Sequence, residues 1–464
     1  MILELHDRPG GQLTAWDRGD YRFDYCLHWL VGTDHGTYND IWHEIGALDE
    51  QTEVVDHHIF TKVVDETHGE FIIYNDLDQW GNYLIEMAPE DEAGIKKLIG
   101  MMKKADGMDQ FKDPPGMRSV ADYVSSLFKM GTFFTVTLKY GKASCGELFE
   151  DLGFKNERLL YFLNKLFGGS DFSALGFIIS FGWFHAKNAG YIIGGSQAMA
   201  ERVAEKYQRL GGQFRFRSRV KEIIVEDGVA KGVRLRNGKE IYADYVIAAC
   251  DLHTVMHDML GGKYPDEEIA NAFAEWPLFN PLIMASFGID KDIVSESHST
   301  SYVLKEPVMF GKTEVKQVGI MNRSMYDPAF APPGKSVLLM SLESDWENWK
   351  DLRGVTYQEE KEAVRKKAVE VLEQIYPGIS ESIEAIDIAT PKTTARITGV
   401  YRGAYEGFRP TGDVLNGLPM KLEGLNNFML AGQWLFPGGG LPPAAQSGKW
   451  AIQKICSDEG LDFY

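Results

Sequence analysis

Two glycines near the amino terminus, Gly10 and Gly11, follow an acidic residue at the end of a short apolar run. Ile2 and Leu3 form that run, and Glu4 comes directly after it. Glycine has no side chain, so a glycine pair after a strand lets the backbone approach a ligand closely. A strand that ends in an acid and leads into such a turn is typical of a nucleotide-binding fold partway through its first unit.

A second glycine-rich stretch lies near the carboxyl terminus, in NNFMLAGQWLFPGGGLPPAAQSGKWAIQKIC. Residues 428–431 predict a strand, and a glycine turn then leads into a helix. Gly438, Gly439 and Gly440 let the backbone approach a ligand, and the start of the helix offers free N–H groups and a positive dipole end. The apolar positions predicted for this helix are Trp450, Ile452 and Ile455.

The region between these stretches contains a clear helix followed by short strands. Apolar residues recur at spacings of four and three, which predicts one helical face formed by Met199, Val203, Tyr207 and Leu210. Ser196 is the expected N-cap. RVKEIIV, GVRLR and YADYVIAAC predict strands, and Asn237-Gly238 predicts a hairpin turn because a type I′ turn needs positive φ at both positions.

Length and composition narrow the class of protein. A chain of 464 residues predicts two or three domains. Its net charge of −19 argues against nucleic acid as a partner and gives no attraction to an anionic membrane. No signal peptide is visible, so we expect a cytoplasmic protein. Association of this protein with a membrane surface is left open. No C-x-x-C pair occurs, and we expect reduced thiols at Cys26, Cys145, Cys250 and Cys456.

The most apolar run, FSALGFIISFGWFHA at residues 172–186, has two interpretations. It is shorter than the roughly 20 residues that span a bilayer. It predicts either a buried helix, or a wall or membrane-dipping lid for an apolar ligand. A long helix rich in Glu and Lys is predicted from Tyr357 to Tyr376.

Three stretches together resemble the phytoene desaturase and retinol saturase group of FAD-dependent oxidoreductases. They are LELHDRPGGQLTAWDRGDYRFDYCLHWLVG, YIIGGSQAMAERVAEKYQRLGG through ADYVIAACD, and LAGQWLFPGGGLPPAAQSG. The resemblance implies an α/β fold with a discontinuous Rossmann-type FAD-binding domain, truncated at its amino terminus, over about 1–35, 188–260 and 418–464. It implies a substrate domain of mixed sheet and covering helices over about 36–187 and 261–417.

The resemblance also implies which residues of the amino-terminal part contact FAD. Glu4 would accept hydrogen bonds from the adenosine ribose, and Gly10 and Gly11 would lie against the pyrophosphate. Asp24 and His28 would approach the flavin, where His28 is either a proton donor or a hydrogen-bonded structural residue.

Further contacts to FAD are implied later in the chain. Main-chain groups at Val220 would hold the adenine edge, while Gly432 and Gln433 would contact the sugar-alcohol chain and phosphate. Gln433 is a departure, because the family usually has an acid there. Gly440 lies in the turn that approaches the ligand, and the backbone N–H of Leu441 would face the flavin ring.

The activity implied by the resemblance is hydride transfer between flavin and a carbon–carbon bond of a hydrophobic, isoprenoid-, carotenoid- or retinoid-like substrate. It runs as desaturation or saturation. No metal is expected, the catalytic acid or base is not assigned, and the electron partner is open. Two alternatives remain: an amine-oxidase-like flavoenzyme, and a chain that has lost FAD binding and activity.

The family begins with a strand, a G-x-G-x-x-G loop and a helix that precede the strand ending in Glu4. This sequence contains no G-x-G-x-x-G, and the unit corresponds to roughly 30 residues. The expectation is that Met1 is an internal methionine, from a miscalled start or a partial gene. Because a first helix would neutralise the pyrophosphate, we expect the chain as written to hold FAD poorly and to purify colourless or aggregated.

Overall fold

The structure is a computed structural model that describes residues 1–105, 109–167, 169–412, 414 and 417–463. The predicted domain ranges also include residues 106–108, 168, 413, 415, 416 and 464, which lie outside the described residues. The predicted α/β class, with a mixed sheet and covering helices, is confirmed. The domain ranges stay a prediction.

The described residues form 19 strands and 14 α-helices. The strands are β1 (Ile2–Leu3), β2 (Ala15–Arg18), β3 (Tyr21–Asp24), β4 (Leu30–Val31), β5 (Val54–Val55), β6 (Ile59–Asp65), β7 (Gly69–Tyr74), β8 (Ala189–Ile192), β9 (Phe214–Arg215), β10 (Val220–Glu226), β11 (Val229–Leu235), β12 (Glu240–Tyr242), β13 (Val246–Ala248), β14 (Leu282–Ile289), β15 (Ser299–Phe310), β16 (Thr313–Asn322), β17 (Ser336–Glu343), β18 (Ile383–Ala389) and β19 (Phe428–Leu430). The helices are α1 (Gly36–Ile45), α2 (Leu77–Met87), α3 (Glu92–Lys104), α4 (Val120–Met130), α5 (Phe133–Tyr140), α6 (Cys145–Asp151), α7 (Glu157–Leu163), α8 (Ala174–His185), α9 (Gly195–Arg209), α10 (Leu252–Thr254), α11 (Glu267–Glu275), α12 (Gly354–Ile375), α13 (Pro391–Thr398) and α14 (Leu441–Asp458).

The largest sheet has seven strands in the order β18-β14-β17-β16-β15-β6-β7. β15 and β6 pair in parallel, and the other neighbours are antiparallel. The long charged helix predicted over residues 357–376 is confirmed as α12, which buries Val364, Ala368 and Leu372 in the core next to this sheet. All strands of the sheet lie in the ranges predicted for a substrate domain.

Two parallel strand pairs, β1 with β9 and β13 with β19, lie in the other part of the molecule. The predicted hairpin is confirmed, because β11 and β12 pair across Asn237 and Gly238. Its turn is not the predicted type I′ turn, because Gly238 has a positive φ of +83° and Asn237 does not have a positive φ. The run YADYVIAAC does not form one strand as predicted. It divides into the end of β12 and β13, since β12 pairs with β11 while β13 pairs with β19.

Helix α9 begins earlier than predicted, and Ser196 is not its N-cap. Gly194, with a φ of +91°, occupies that position. The Ser196 N–H is instead capped by a distant carboxylate, since it donates to Asp24 Oδ2 at 2.6 Å. Sequence periodicity does not reveal such a cap, because the two residues are far apart in the chain.

The carboxyl-terminal strand and helix are confirmed as β19 and α14, with one difference. Trp450 is buried, whereas Ile452 is 41% exposed. The two positions are two residues apart, which places them about 200° apart around a helix. Ile452 therefore lies on the solvent side, and the apolar face includes Trp450 and Ile455.

Candidate functional site

A cavity of about 1090 Å³ lies beyond the carboxyl ends of β1, β13 and β19. This is the position where open α/β sheets bind their ligands. Its volume slightly exceeds the usual range of about 300–1,000 Å³ for a small-molecule site, which leaves room for a cofactor and a substrate together. The segments that follow the three strands and lead into α14 line one side, namely residues 10–13, 249–251, 432–434 and 437–444.

The turn at Gly10 and Gly11 presents backbone to this cavity. Gly10 has a φ of +116°, and a Cβ there would lie 2.2 Å from the Leu13 carbonyl oxygen. Gly11 has a φ of +61°, and a Cβ there would meet no atom within 4 Å. The Leu13 N–H donates to the Gly10 carbonyl at 2.9 Å and closes the turn. Gly10 is required by the turn itself, whereas at Gly11 the space in front of the backbone is open.

The carboxyl-terminal glycines form a second backbone surface of the same cavity. Gly432 has a φ of +111°, and its N–H donates to Ser447 Oγ at 2.8 Å. A Cβ on Gly439 would lie 1.6 Å from the Glu406 carbonyl oxygen, so only glycine fits there. Gly440 is the N-cap of α14, which begins at Leu441. The first N–H groups and the positive dipole end of α14 therefore lie at the cavity wall.

Six of the eight residues predicted to bind the cofactor line this one cavity: Gly10, Gly11, Gly432, Gln433, Gly440 and Leu441. Glu4 and Val220 do not line it. The Glu4 carboxylate accepts from the His6 N–H at 2.7 Å, and Val220 packs against the core at the start of β10. Partial desolvation, then the charges of Asp251 and Glu4, raise the pKa of the Cys250 thiol, which is still exposed to solvent. Glu4 thus lies near the edge of the cavity, although it does not line it.

Helix α8 forms an apolar wall of the same cavity. One face of the run 172–186 lines the cavity through Phe172, Leu175, Gly176, Ile179, Ser180 and Trp183. The other face is packed into an aromatic core, where Ile178 and Phe181 are fully buried. The predicted buried helix is confirmed, and the same helix also lines the cavity. That it serves as a wall or lid for an apolar ligand stays a prediction.

A buried ion pair supports the wall between these two sides. Arg323 Nη1 lies 3.2 Å from Asp24 Oδ1, and the two side chains are 2% and 0% exposed. Asp24 also accepts hydrogen bonds from the N–H and the hydroxyl of Ser196, each at 2.6 Å. Charge-assisted hydrogen bonds of this kind are what a buried carboxylate needs.

His28 and Tyr405 continue this network into the cavity lining. Arg323 Nη2 lies 3.3 Å from His28 Nδ1, and guanidinium groups only donate, so Nδ1 accepts and Nε2 carries the proton. His28 Nε2 then donates to Tyr405 Oη at 2.7 Å, and the Tyr405 hydroxyl donates to the Cys26 carbonyl at 3.1 Å. Burial and the Arg323 charge lower the pKa of His28 to about 3. His28 is therefore a neutral, hydrogen-bonded residue at neutral pH rather than a cationic acid.

Glu406 is a second titratable group of the lining. Burial raises the pKa of its carboxyl group to about 7. A Cβ on Gly440 would lie 3.7 Å from Glu406 Oε1, so the carboxyl group lies beside the start of α14. Of the other carboxylates in the lining, Asp251 accepts from the N–H groups of Thr254 and Tyr401. Glu343 accepts from Asn280 Nδ2.

Sequence reasoning singled out Asp24 and His28 but missed Arg323, Tyr405 and Glu406. These residues come from the segment between β16 and β17 and from the segment after α13. They carry no glycine signature, and they meet the amino-terminal segment only in the folded chain.

Comparison with known proteins gives one family and several relatives. The family model described as "Flavin containing amine oxidoreductase" matches residues 1–456. Prolycopene isomerase from Arabidopsis thaliana is 24% identical over 100% of this chain and 79% of its own length. A neurosporene-forming phytoene desaturase from Rhodobacter capsulatus is 26% identical over 98% of this chain and 88% of its own length.

Solved structures show the same fold at lower identity. An oxidoreductase from Methanosarcina mazei matches with a TM-score of 0.64 at 15% identity, covering 98% of this chain and 93% of that chain. A putrescine oxidase with redesigned cofactor binding matches with a TM-score of 0.62 at 13% identity over the same shares. These matches concern the fold alone.

The chain belongs to the family of flavin-containing amine oxidoreductases. It is an FAD-dependent oxidoreductase, and FAD is its cofactor. The residues fit this cofactor, because two backbone surfaces at which side chains are excluded or absent face one cavity, at Gly10-Gly11 and at residues 438–440. The helix start at Leu441 adds a positive dipole end.

Proposed function

We propose that the chain transfers a hydride between FAD and a carbon–carbon bond of a hydrophobic, isoprenoid- or carotenoid-like substrate, as a desaturase or a saturase. The observation that carries the proposal is the division of one cavity into a glycine-rich backbone side and an apolar wall from α8. When bound, FAD accepts or delivers the hydride. The chain positions both partners and excludes water from them.

The residues proposed to hold FAD are those of the backbone side: Gly10, Gly11, Gly432, Gln433, Gly440 and Leu441. We keep Glu4 for the adenosine ribose and Val220 for the adenine edge. Support for Glu4 comes from its place at the carboxyl end of β1, near Cys250 of the lining. Such strand-end acids accept hydrogen bonds from ribose hydroxyls.

The substrate is proposed to lie along α8. Ile179 and Trp183 face the cavity on that helix, and Phe167 adds a further aromatic ring to the lining. The curated relatives are named for prolycopene and phytoene, which fits an apolar substrate. An amine substrate has less support, because the putrescine oxidase match at 13% identity shows the fold alone.

Glu406 is proposed to hold the proton that accompanies the hydride. Desaturation removes a hydride and a proton from adjacent carbons and forms a double bond between them. Saturation adds both and consumes a double bond. A carboxyl group with a pKa of about 7 in the lining can accept or release that proton at neutral pH.

We further propose that α4 and α5 rest on the surface of a membrane. No residue of α4 is buried, and apolar side chains point to solvent at Val120, Val124, Leu127 and Phe128 of α4 and at Leu138 of α5. Among the described helices, none combines the length and apolar character that crossing a membrane requires. The segment before α4 contributes Gln110 to the cavity lining, so this apolar surface is joined to the cavity by a short stretch of chain.

The activity is tested with the flavin-containing protein under anaerobic conditions. Phytoene is added to the protein with oxidised flavin. To test the opposite direction, the flavin is first reduced chemically, and a polyene is then added. We expect phytoene to bleach the flavin absorbance, or a polyene to reoxidise the reduced flavin, with a product that differs by two hydrogens. Bleaching by putrescine and by neither hydrocarbon would overturn the proposal in favour of an amine oxidase.

The membrane contact is tested by co-sedimentation with neutral phosphatidylcholine vesicles. The net charge of −19 gives no electrostatic attraction, so binding should persist at high salt. Replacing Leu127 and Phe128 by serine should abolish it, because it removes buried apolar area. Salt-sensitive binding, or binding that survives both substitutions, would contradict this surface.

A further inference from the structure

A second, smaller cavity lies next to the large one. It has a volume of about 180 Å³ and is lined by three histidines, His28, His57 and His298. We call it the three-histidine chamber. His28 and Trp29 line both cavities, so the chamber adjoins the proposed substrate side.

The lining of the chamber combines an apolar part with a polar part of similar size. Its apolar lining is formed by Trp29, Phe60, Phe184, Ala189 and Met321. Trp29 packs edge-on against Phe60 and Phe184, each with ring centroids 5.3 Å apart. The polar part comes from Asp56, Asn75 and Ser299 together with the histidines.

Two buried polar atoms of the lining have no hydrogen-bond partner among the described residues: His57 Nε2 and Asn75 Oδ1. The amide nitrogen of Asn75 is engaged, because it donates to the His57 carbonyl at 2.6 Å. The His57 ring is held in place by stacking on His298, with centroids 3.6 Å apart, and by the edge of Tyr326. A buried polar atom without a partner costs free energy, so these two fixed atoms mark a site for a ligand.

The charge of the chamber defines the ligand further. Burial lowers the pKa of His57 to about 4, and burial together with neighbouring charges lowers the pKa of His298 well below its usual value. His28 is neutral as well. Among the described residues of the lining, Asp56 alone carries a charge, and its carboxylate repels an anion. Among the described residues, no group of His, Cys, Asp and Glu is placed to hold a metal ion.

We propose that the three-histidine chamber binds an uncharged hydroxyl group at one end of an apolar substrate chain. A hydroxyl both donates and accepts a hydrogen bond. It can donate to Asn75 Oδ1 and pair with His57 Nε2, while the adjoining chain packs on Trp29 and the phenylalanines. One water molecule takes about 30 Å³ in the liquid, and the chamber is several times larger. The chamber can therefore hold the end of an isoprenoid chain. The inference rests on the proposed function, since it assigns one end of that substrate.

The test compares two probes in the flavin-containing protein. They are geraniol and the hydrocarbon in which a methyl group replaces its hydroxymethyl group. His57→Phe keeps the ring that stacks on His298 and removes Nε2, and Asn75→Leu removes Oδ1. His58→Phe is the matched control, because His58 is exposed and does not line the chamber. Flavin content and circular dichroism confirm that each variant folds.

We expect each of the first two substitutions to raise the dissociation constant of geraniol by about tenfold. The dissociation constant of the hydrocarbon should change less than about twofold. His58→Phe should change neither dissociation constant. An equal loss of affinity for both probes, or no loss of affinity for geraniol, would overturn the inference.

Two further outcomes separate this inference from the proposed function. In the first, the substitutions weaken the binding of geraniol selectively, but no polyene reduces or reoxidises the flavin. This result would overturn the proposed function and would still assign the chamber to the alcohol. Binding of neither probe by the unsubstituted protein would overturn the inference about the chamber, while bleaching of the flavin by phytoene would still support the proposed function.

Discussion

The two sides of the large cavity differ in whether backbone or side chains form them. The glycine side consists of backbone, where positive φ angles and close approaches exclude side chains, as at Gly10 and Gly439. The wall side consists of side chains from α8 and of a hydrogen-bonded network around Arg323. A backbone surface serves any ligand with the right polar groups, whereas a side-chain surface selects a particular shape and polarity. We therefore expect substitutions on the two sides to separate cofactor binding from substrate binding.

The wall depends most on the buried pair of Asp24 and Arg323. Arg323→Met should lower the free energy of unfolding by about 3–5 kcal/mol, because it leaves a buried carboxylate without its charge partner. Urea denaturation followed by circular dichroism measures this. Arg365→Met is the control, since its pair with Glu362 lies on the exposed surface of α12 and contributes at most about 1 kcal/mol. Equal losses in the two variants would show that the network does not support the wall.

Two neighbouring isoleucines of α8 lie on different faces of the helix, one in the core and one in the cavity wall. Ile178→Ala should cost about 2–5 kcal/mol of stability, because Ile178 is fully buried in the aromatic core. Ile179→Ala should cost less and should raise KM for an apolar substrate, because Ile179 lines the cavity. Thermal denaturation and steady-state kinetics measure the two effects. If Ile178→Ala changes KM while Ile179→Ala does not, the wall has been assigned to the wrong face.

Glu406 lies where the two sides meet, and its pH profile gives the direction of the reaction. With a pKa of about 7, the carboxyl group is a base above that pH and an acid below it. Activity through this pH should rise for a desaturase and fall for a saturase. Glu406→Gln should remove this limb and lower kcat by about a hundredfold. A profile that keeps the same limb in Glu406→Gln would remove Glu406 from proton transfer.

The smallest expected effect concerns Tyr405. Tyr405→Phe removes the hydroxyl that accepts from His28 Nε2 and donates to the Cys26 carbonyl. We expect a loss of about 1–3 kcal/mol, because two buried groups lose their partner. Flavin content should not change, since Tyr405 belongs to the wall side. A loss of flavin without a loss of stability would place Tyr405 on the cofactor side.

The same contrast explains what the sequence could predict. The glycine side is local in sequence, because a strand, a glycine turn and a helix start follow one another at Gly10-Gly11 and again at residues 432–441. Its parts could therefore be predicted, as could α12 and the Asn237-Gly238 hairpin. The wall is non-local. Arg323 and Tyr405 reach His28 from nearly 300 and 380 residues away, and one sequence carries no periodicity that joins them.

Helix starts show the same limit on a smaller scale. Ser196 has the residue type of an N-cap, but the chain turns into α9 at Gly194. Asp24 then caps the helix from β3, and the Ser196 hydroxyl donates to the same carboxylate. Local propensity predicted the helix correctly, while its first turn was decided by a tertiary contact.

We propose that the Gly10-Gly11 turn presents backbone to FAD, so a side chain at Gly11 should weaken FAD binding while one at Gly19 should not. Gly11 and Gly19 have φ angles of +61° and +60°, and a Cβ at either position would meet no atom within 4 Å. Alanine therefore imposes the same backbone strain at both, about 1–2 kcal/mol, but only Gly11 lines the cavity. The measurement is the dissociation constant of FAD for Gly11→Ala and Gly19→Ala. We expect at least about a tenfold increase in that dissociation constant for Gly11→Ala and no change for Gly19→Ala. Equal affinities in the two variants would contradict it.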